Sequence, residues 1–191
     1  MDFNADWRKR SIIRHATKAE IETMIETHYL HKHPAVVPCR LAMLVDSHIV
    51  GMIVFAYPPR QTISRYGGMT WELARLWVDD DVPRNGETWL IGRAVKHVRQ
   101  AHPTVDVLVS YADPAHGHNG LIYRAANWTP DGMTDDERRT PRFDYRVNGK
   151  MYSRRSHIPD GATWARVPRV SKHRFIYRLK KQHRAQEARK T

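Results

Sequence analysis

Apolar residues change their spacing several times along the chain, and each change marks an element. Behind Thr17-Lys-Ala-Glu20, a threonine and a glutamate placed to cap each other's backbone amides, Ile21, Met24 and Ile25 recur at helical spacing. That spacing predicts a helix over 18–30, with His28 on the apolar face and Tyr29 beside it. The apolar runs Cys39–Val45 and 49–57, joined by Asp46-Ser47-His48, predict a β-hairpin, and 58–68 reads as a loop. A strand over 71–78 would place Glu72, Ala74 and Leu76 on one face and Leu73, Arg75 and Trp77 on the other. A helix over 87–100 follows, with Leu90, Ile91, Ala94, Val95 and Val98 as its buried stripe. Residues 105–111 are almost continuously apolar, as in a strand covered on both faces. A short helix over 119–127 comes next, and Asn148-Gly149 predicts a tight turn between strands at Phe143–Val147 and 150–156.

The order is helix, hairpin, strand, helix, strand, helix, hairpin. It implies one βαβ unit with antiparallel pairs outside it, an α/β (α+β) fold on a central mixed, twisted sheet flanked by helices. A chain of 191 residues supports one core, and no repeat or linker divides it, so a single domain over 1–179 is expected, with a basic tail over 180–191. The net charge of +12 favours a polyanionic partner, although a merely solubilising surface would look the same. Near the C-terminus Arg174, Arg178, Lys180, Lys181 and Arg184 alternate with Phe175, Ile176, Tyr177 and Leu179, a pattern suited to nucleic-acid contact, with its first half docked as an edge strand. The single cysteine, Cys39, has no disulfide partner and reads as a small core residue in a reducing compartment. No apolar run approaches the ~20 residues that span a bilayer, and the polar N-terminus lacks a signal-peptide core. A cytoplasmic protein that avoids membranes is expected.

Three constellations bear chemistry, and a fourth, His28-Tyr29 with His31 and His33, has a spacing that could suit a metal or reads as helix-terminal surface histidines, with His28 alone turned inward. Arg84-Asn85-Gly86-Glu87-Thr88 joins a loop to a helix N-terminus, where bare amides and a guanidinium suit a pyrophosphate; it also reads as an ordinary helix start. Ser110-Tyr111-Ala112-Asp113-Pro114 ends the buried strand, where open α/β sheets bind ligands, so Asp113 is a candidate base or metal ligand, or a cap. Tyr123, one turn before Asn127-Trp128, is a candidate general acid or a packing tyrosine. His31, His33, His116 and His118 read as surface or loop residues.

The succession of hairpin, strand, glycine-containing turn, helix, buried strand and tyrosine-bearing helix resembles the GNAT acyltransferase superfamily. The turn keeps only part of that superfamily's Arg/Gln and two spaced glycines. Glu72-Leu-Ala-Arg75-Leu, Arg84-Asn-Gly-Glu-Thr88, Ser110-Tyr-Ala-Asp113-Pro, Gly117-His-Asn-Gly-Leu-Ile-Tyr123-Arg-Ala-Ala-Asn-Trp128 and Tyr145-Arg-Val-Asn-Gly-Lys-Met-Tyr152 together resemble the phage Mom DNA-modification family over 17–179. That resemblance implies an enzyme that adds a carbamoylmethyl group to N6 of adenine in double-stranded DNA and so shields phage DNA from restriction enzymes. It implies functional roles for His28, Tyr29, Arg75, Thr88, Asp113 and Tyr123. It also implies an acyl-CoA donor held near Arg84, Asn85, Gly86, Thr88 and Ser110, and iron held by His28, Tyr29 and Asp113. Adenine N6 is paired and stacked inside a duplex, so the target base is expected to flip into a pocket at the end of the sheet. Two alternatives stay open: a GNAT acetyltransferase acting on protein, RNA or a small molecule, and a basic DNA-binding accessory protein without chemistry. The oligomeric state is open too, a homodimer included.

Overall fold

The computed structural model describes residues 3, 6–27, 34, 36–136, 138–153 and 156–180. The chain enters through a short helix, α1 (Trp7–Arg10), and a strand, β1 (Ser11–His15). Apolar spacing announced neither, because each is too short to show a period. The cap before α2 (Lys18–Thr27) forms as expected: the Thr17 amide donates to Glu20 Oε2 at 2.7 Å, and the Glu20 amide donates to Thr17 Oγ1 at 3.3 Å. The expected continuation of this helix to residue 30 lies outside the described residues.

Next comes the hairpin of β2 (Cys39–Val45) and β3 (His48–Ala56), closed by Asp46 and Ser47, both at positive φ. A helix, α3 (Arg60–Tyr66), occupies the expected loop; its single aliphatic residue, Ile63, is exposed, so it had no stripe to reveal it. The centre is the expected βαβ unit: β4 (Met69–Val78), α4 (Gly86–Ala101) and β5 (Val105–Ala112). A 3-10 turn (Pro114–His116), α5 (Leu121–Ala125) and β6 (Thr129–Met133) follow. The hairpin of β7 (Phe143–Val147) and β8 (Lys150–Tyr152) turns at Asn148-Gly149 as predicted, and β9 (Trp164–Pro168) and β10 (His173–Arg178) complete the fold.

The main sheet has the order β1-β2-β3-β4-β5-β10-β6; β4 and β5 pair in parallel and every other neighbour pairs antiparallel. A second sheet has the order β8-β7-β9. This is the mixed, helix-flanked α/β architecture that the element order implied. One expectation is corrected: the strand at the start of the basic C-terminal region is not an edge. β10 lies between β5 and β6, with Phe175 and Ile176 buried. The true edge, β6, reads Thr-Pro-Asp-Gly-Met and has no apolar alternation to betray it.

One face of the sheet packs on α4, where Leu90, Ile91, Ala94 and Val98 meet Leu41, Ile53, Phe55, Leu73 and Leu108. The other packs on α2, with Ile21, Met24 and Ile25 against Ala42, Leu44, Met52 and Val54. Cys39 lies in the α4-side core, and burial pushes its thiol up to about 11, so it is no nucleophile at neutral pH.

Candidate functional site

The site begins with a ladder that stops early. β4 and β5 pair from Met69↔Val105 to Glu72↔Val109 and no further. Beyond that point β4 follows β3 to Val78, and β5 follows β10 to Ala112, so this parallel pair at the centre of the main sheet splays apart. A bulge helps open it. Phe55 pairs with Leu73 and Val54 with Arg75, leaving Ala74 as an extra residue that increases the local twist. The bulge also corrects the expected faces: Leu73 keeps the α4 face with Phe55, whereas Arg75 moves to the face of Val54, Glu72 and Trp77.

A cavity of about 410 Å³ fills the splay, lined by residues 73–78 of β4, Glu87 of α4, Tyr111 and Ala112 of β5, and residues 117–123. Arg75 and Tyr123, expected to act together, both border it. Tyr123 is held from several sides. Its ring stacks on Phe175 (5.2 Å, 30°) and packs on Trp128 at 5.4 Å. Its helix starts at Gly120, which lies at positive φ, where a Cβ would overlap the Phe175 ring. Its hydroxyl lies 2.8 Å from Ser110 Oγ, itself 2.9 Å from the carbonyl oxygen of Leu73. Serine has one proton for these two oxygens, so a hydroxyl hydrogen of Tyr123 can serve the second contact. Ser110 is buried and works through Tyr123.

At the other end of the cleft, α4 begins at Gly86, where a Cβ would come within 2.6 Å of Val82. Asn85 takes the left-handed conformation that lets the chain turn into the helix. The first turn leaves the amides of Glu87 and Thr88 without helical acceptors, as an anion site needs. Thr88 is half-buried, and Arg84 and Asn85 are exposed beside it.

Asp113 is not among the residues that line this cavity with Arg75 and Tyr123. It is 7 % exposed, its Oδ2 accepts from Lys172 Nζ at 2.8 Å, and its Oδ1 accepts the Ala115 amide at 3.0 Å, capping the 3-10 turn. Burial acts to raise its pKa, but Lys172, the Ala115 amide and His116 outweigh burial and hold the carboxyl below its usual range. It is therefore a weak proton acceptor. His28, Tyr29, His31 and His33 lie outside the described residues. Of the three residues expected to hold iron, only Asp113 is described, and both its oxygens are engaged.

A second cavity, of about 600 Å³, is lined by Thr62 and Arg65 of α3, Glu72, Tyr111, residues 133–136, Arg138, Arg142, Lys172 and Arg174. Tyr111 borders both cavities. Its hydroxyl lies 3.2 Å from Thr62 Oγ1, and burial pushes its pKa up. Glu72, the one carboxylate of β4, is pushed up too: burial dominates, against the pull of Arg75 and Lys172. Asp131 ties this wall together by accepting from Arg174 Nε at 2.7 Å and from the Tyr66 hydroxyl at 2.6 Å.

These placements alter the expected nucleic-acid residues. Arg174 is 7 % exposed and belongs to the cavity wall, not to an outer surface. Arg178 is exposed at the far end of β10, and Lys180 pairs with Asp106 at 2.6 Å. Lys181 and Arg184 lie outside the described residues. Glu72, Tyr111 and Lys172 were given no role from sequence. A lone carboxylate in a strand was the available signal for the first.

No helix among the described residues is long and apolar enough to cross a membrane. Residues 10–191 match the model of the Mom protein family. Methylcarbamoylase mom of Escherichia phage Mu is 30% identical over 128 residues, covering 64% of this chain and 48% of that protein, so the chain spans about half the relative's length. Among solved structures, YncA from Salmonella typhimurium with its cofactor acetyl-CoA aligns with a TM-score of 0.55 at 15% identity, covering 94% of this chain and 99% of that one. A GNAT family acetyltransferase from Elizabethkingia anophelis with acetyl-CoA bound aligns at 0.50 and 11% identity, covering 88% and 98%. An N-acetyltransferase from Staphylococcus aureus Mu50 aligns at 0.52 and 12% identity, covering 89% and 99%. At these identities the structural likeness shows the fold.

Proposed function

The chain belongs to the Mom protein family, and from that premise we propose that it is a phage DNA-modifying transferase. In this reading it transfers an acyl group from a coenzyme A thioester to N6 of adenine in double-stranded DNA, with N6 joined to the carbonyl and the thiolate leaving, and the modified base hides the DNA from restriction endonucleases. N6-carbamoylmethyladenine, the product the resemblance implies, would need N6 joined to the carbon beside the carbonyl and an amide nitrogen from a second donor. The observation that carries the reading is the pair of cavities meeting at Tyr111 across the β4–β5 gap. One is bordered by Glu87 in the first turn of α4, and a helix N-terminus there suits a pyrophosphate at the head of a thioester arm. The other is large enough for a purine, and its wall mixes Arg65, Arg138, Arg142, Lys172 and Arg174 with Glu72, Asp135 and Asp136, Arg65 and Arg174 being held by Asp131 and Arg142 by Asp135.

Each side chain then has a task. The amides of Glu87 and Thr88 bind the pyrophosphate, with Arg84 at the mouth. Arg75, beside the gap, holds a phosphate of the donor or of the target strand. When bound, coenzyme A supplies an activated acyl group. The lone pair of adenine N6 is delocalised into the ring, so the amine needs a base. Glu72 accepts the N6 proton, burial making it a stronger base than an ordinary carboxylate. Tyr123 gives its hydroxyl proton to the leaving thiolate, and Ser110 then donates its own proton to the phenolate oxygen. Lys172 keeps Asp113 ionised and the loop after β5 closed. No step is routed through iron: of the residues expected to hold it only Asp113 is described, and that carboxylate is held by Lys172 and the Ala115 amide.

Mass spectrometry of nucleosides tests the reading. DNA from cells expressing the protein, and DNA incubated with protein and acetyl-CoA, are digested and weighed. A heavier deoxyadenosine is expected. Attack on the thioester carbonyl would leave N6-acetyladenine, whereas a carbamoylmethyl group requires N6 bonded to a carbon that is not the carbonyl, and the two differ in mass. Unmodified deoxyadenosine in both samples, together with acetylation of a protein or polyamine, would replace this reading with a GNAT acetyltransferase of another acceptor, which the fold equally allows.

A further inference from the structure

Away from the cleft, three elements bring together residues that are far apart in the sequence. His15 ends β1, Cys39 opens β2, and His97 lies in the last turns of α4. One potential ligand atom from each lies within 4.8 Å of the other two. The His15 and His97 rings meet edge to face at 5.0 Å and 78°. The Nε2 atom of His97 is buried without a hydrogen-bond partner among the described residues. His102, just past the end of α4, has the same unmet Nε2; its ring stands 6.2 Å from that of His97.

From this geometry we propose that His15, Cys39 and His97 form a binding site for a zinc-class divalent cation, with the fourth position open to water on the exposed side of His15. One thiolate and two imidazoles are soft-to-borderline ligands that favour zinc and its neighbours over magnesium or calcium. A tetrahedral ion with Zn–N near 2.0–2.1 Å and Zn–S near 2.3 Å holds its ligand atoms about 3.4–3.6 Å apart. The residual gap is about an ångström, within reach of a rotation of the exposed His15 side chain. Burial holds the unbound thiol protonated, so cation binding would release its proton.

The site is separate from the chemistry of the cleft. Gly86 and His97 are eleven residues apart on α4, about 16 Å along the helix. It shares no residue with the set expected to hold iron. Its effect is structural: it would clamp the edge strand β1 and the start of β2 to the C-terminal end of α4.

The single cysteine makes the test specific. Full-length protein purified without chelators is stripped, then titrated with Co²⁺ and followed by absorption. Coordination as proposed gives a thiolate-to-cobalt charge-transfer band together with the strong visible bands of a tetrahedral ion, and Zn²⁺ displaces both. Cys39→Ser removes the charge-transfer band. Cys39 is buried and its replacement puts folding at risk, so His15→Ala, at an exposed position, serves as the second variant; it weakens Zn²⁺ binding more than about tenfold and abolishes the rise in Tm on adding Zn²⁺. A weak octahedral spectrum without the thiolate band overturns the proposal. So does Zn²⁺ affinity unchanged in both His15→Ala and His97→Ala. Neither readout involves DNA modification, so failure here leaves the proposed activity standing, and the converse holds.

Discussion

At the scale of single residues, the cleft depends on two groups whose protons are set by their surroundings. Tyr123 is fixed by Phe175, Trp128 and Ser110, so removing its hydroxyl should change chemistry far more than structure. Tyr123→Phe keeps the ring stacked and costs about 1 kcal/mol of stability, the worth of one buried hydrogen bond. As a general acid it should lower kcat by about 100-fold or more while leaving KM for the thioester nearly unchanged. Steady-state kinetics on an adenine-containing duplex checks this, and an effect confined to KM would make Tyr123 a binding residue only. Glu72 gives a prediction of opposite character. Its folded pKa is raised by burial, so ionising it costs the folded state more than the unfolded one. Its protonated form therefore contributes stability below the unfolded pKa, and that contribution is lost as pH rises through the folded pKa. A base must be ionised, so activity should rise across that same interval. Glu72→Gln should remove the acid limb of the pH–rate profile and raise Tm at neutral pH. Thermal melts and rates measured across pH on both proteins test the two outcomes separately.

At the scale of elements, two capping devices can be probed. The Thr17–Glu20 cap is reinforced by Arg14, whose Nη1 and Nη2 lie 3.0 and 2.7 Å from the Glu20 carboxylate. The Arg14 bonds first, then the Thr17 amide, lower the Glu20 pKa to about 2. The resulting stability is present above the usual carboxylate pKa and lost as pH falls toward about 2. Glu20→Gln should cost about 0.5–1 kcal/mol near neutrality, because the pair is partly exposed and screened. The difference from the parent should close on acidification, as urea melts at a series of pH values would show. Gly120 is the second device. A side chain there meets both a positive φ and the Phe175 ring, so Gly120→Ala should cost about 2–3 kcal/mol and displace Tyr123, lowering activity beyond the stability loss. The sequence revealed elements with a strong period or a turn signal: α2 through Thr17 and Glu20, α4 through its apolar stripe, β5 through its unbroken run, and the hairpin at Asn148-Gly149. It did not reveal α3, β6 or β9, whose residues are polar or interrupted by proline and glycine. The candidate site was legible as residue types, Arg75 and Tyr123 among them. The bulge at Ala74 was not, since nothing in Leu-Ala-Arg distinguishes a bulged alanine from a regular one, and it is this extra residue that turns Arg75 onto the face of Glu72. The pairing of Asp113 with Lys172 was hidden likewise, because it joins positions brought together only when β10 inserts beside β5.

For the whole molecule, the question is where the charge of +12 lies relative to the cleft. β10 runs antiparallel to β5, with His173 opposite Ala112 at the cleft end and Arg178 opposite Val107 at the other. Five residues of strand separate them, about 17 Å at 3.4 Å per residue. The chain thus leaves the main sheet at the end remote from the cleft, pinned there by Lys180 on Asp106 and by the Leu179 amide on the Asp106 carbonyl. Residues 181–191 carry Lys181, Arg184, Arg189 and Lys190 against Glu187 and lie outside the described residues. With a base in the second cavity, cations attached at the far end of the sheet would meet the flanking duplex about five base pairs away and not the reacting nucleotide. Their contribution should then be affinity without selectivity. Truncation after Lys180 should lower the slope of log K against log salt for non-specific duplex binding by about 0.9 for each phosphate the tail neutralises, up to about 3.6 if all four cations engage. At saturating DNA and low salt the modification rate should stay unchanged, because the groups lining both cavities remain. Fluorescence anisotropy over a salt series measures the first quantity and nucleoside mass spectrometry the second. An unchanged slope would mean that the tail touches no phosphate. A lower rate at saturating DNA would mean that the tail folds back toward the cleft, a path that the departure of β10 from the opposite end makes long.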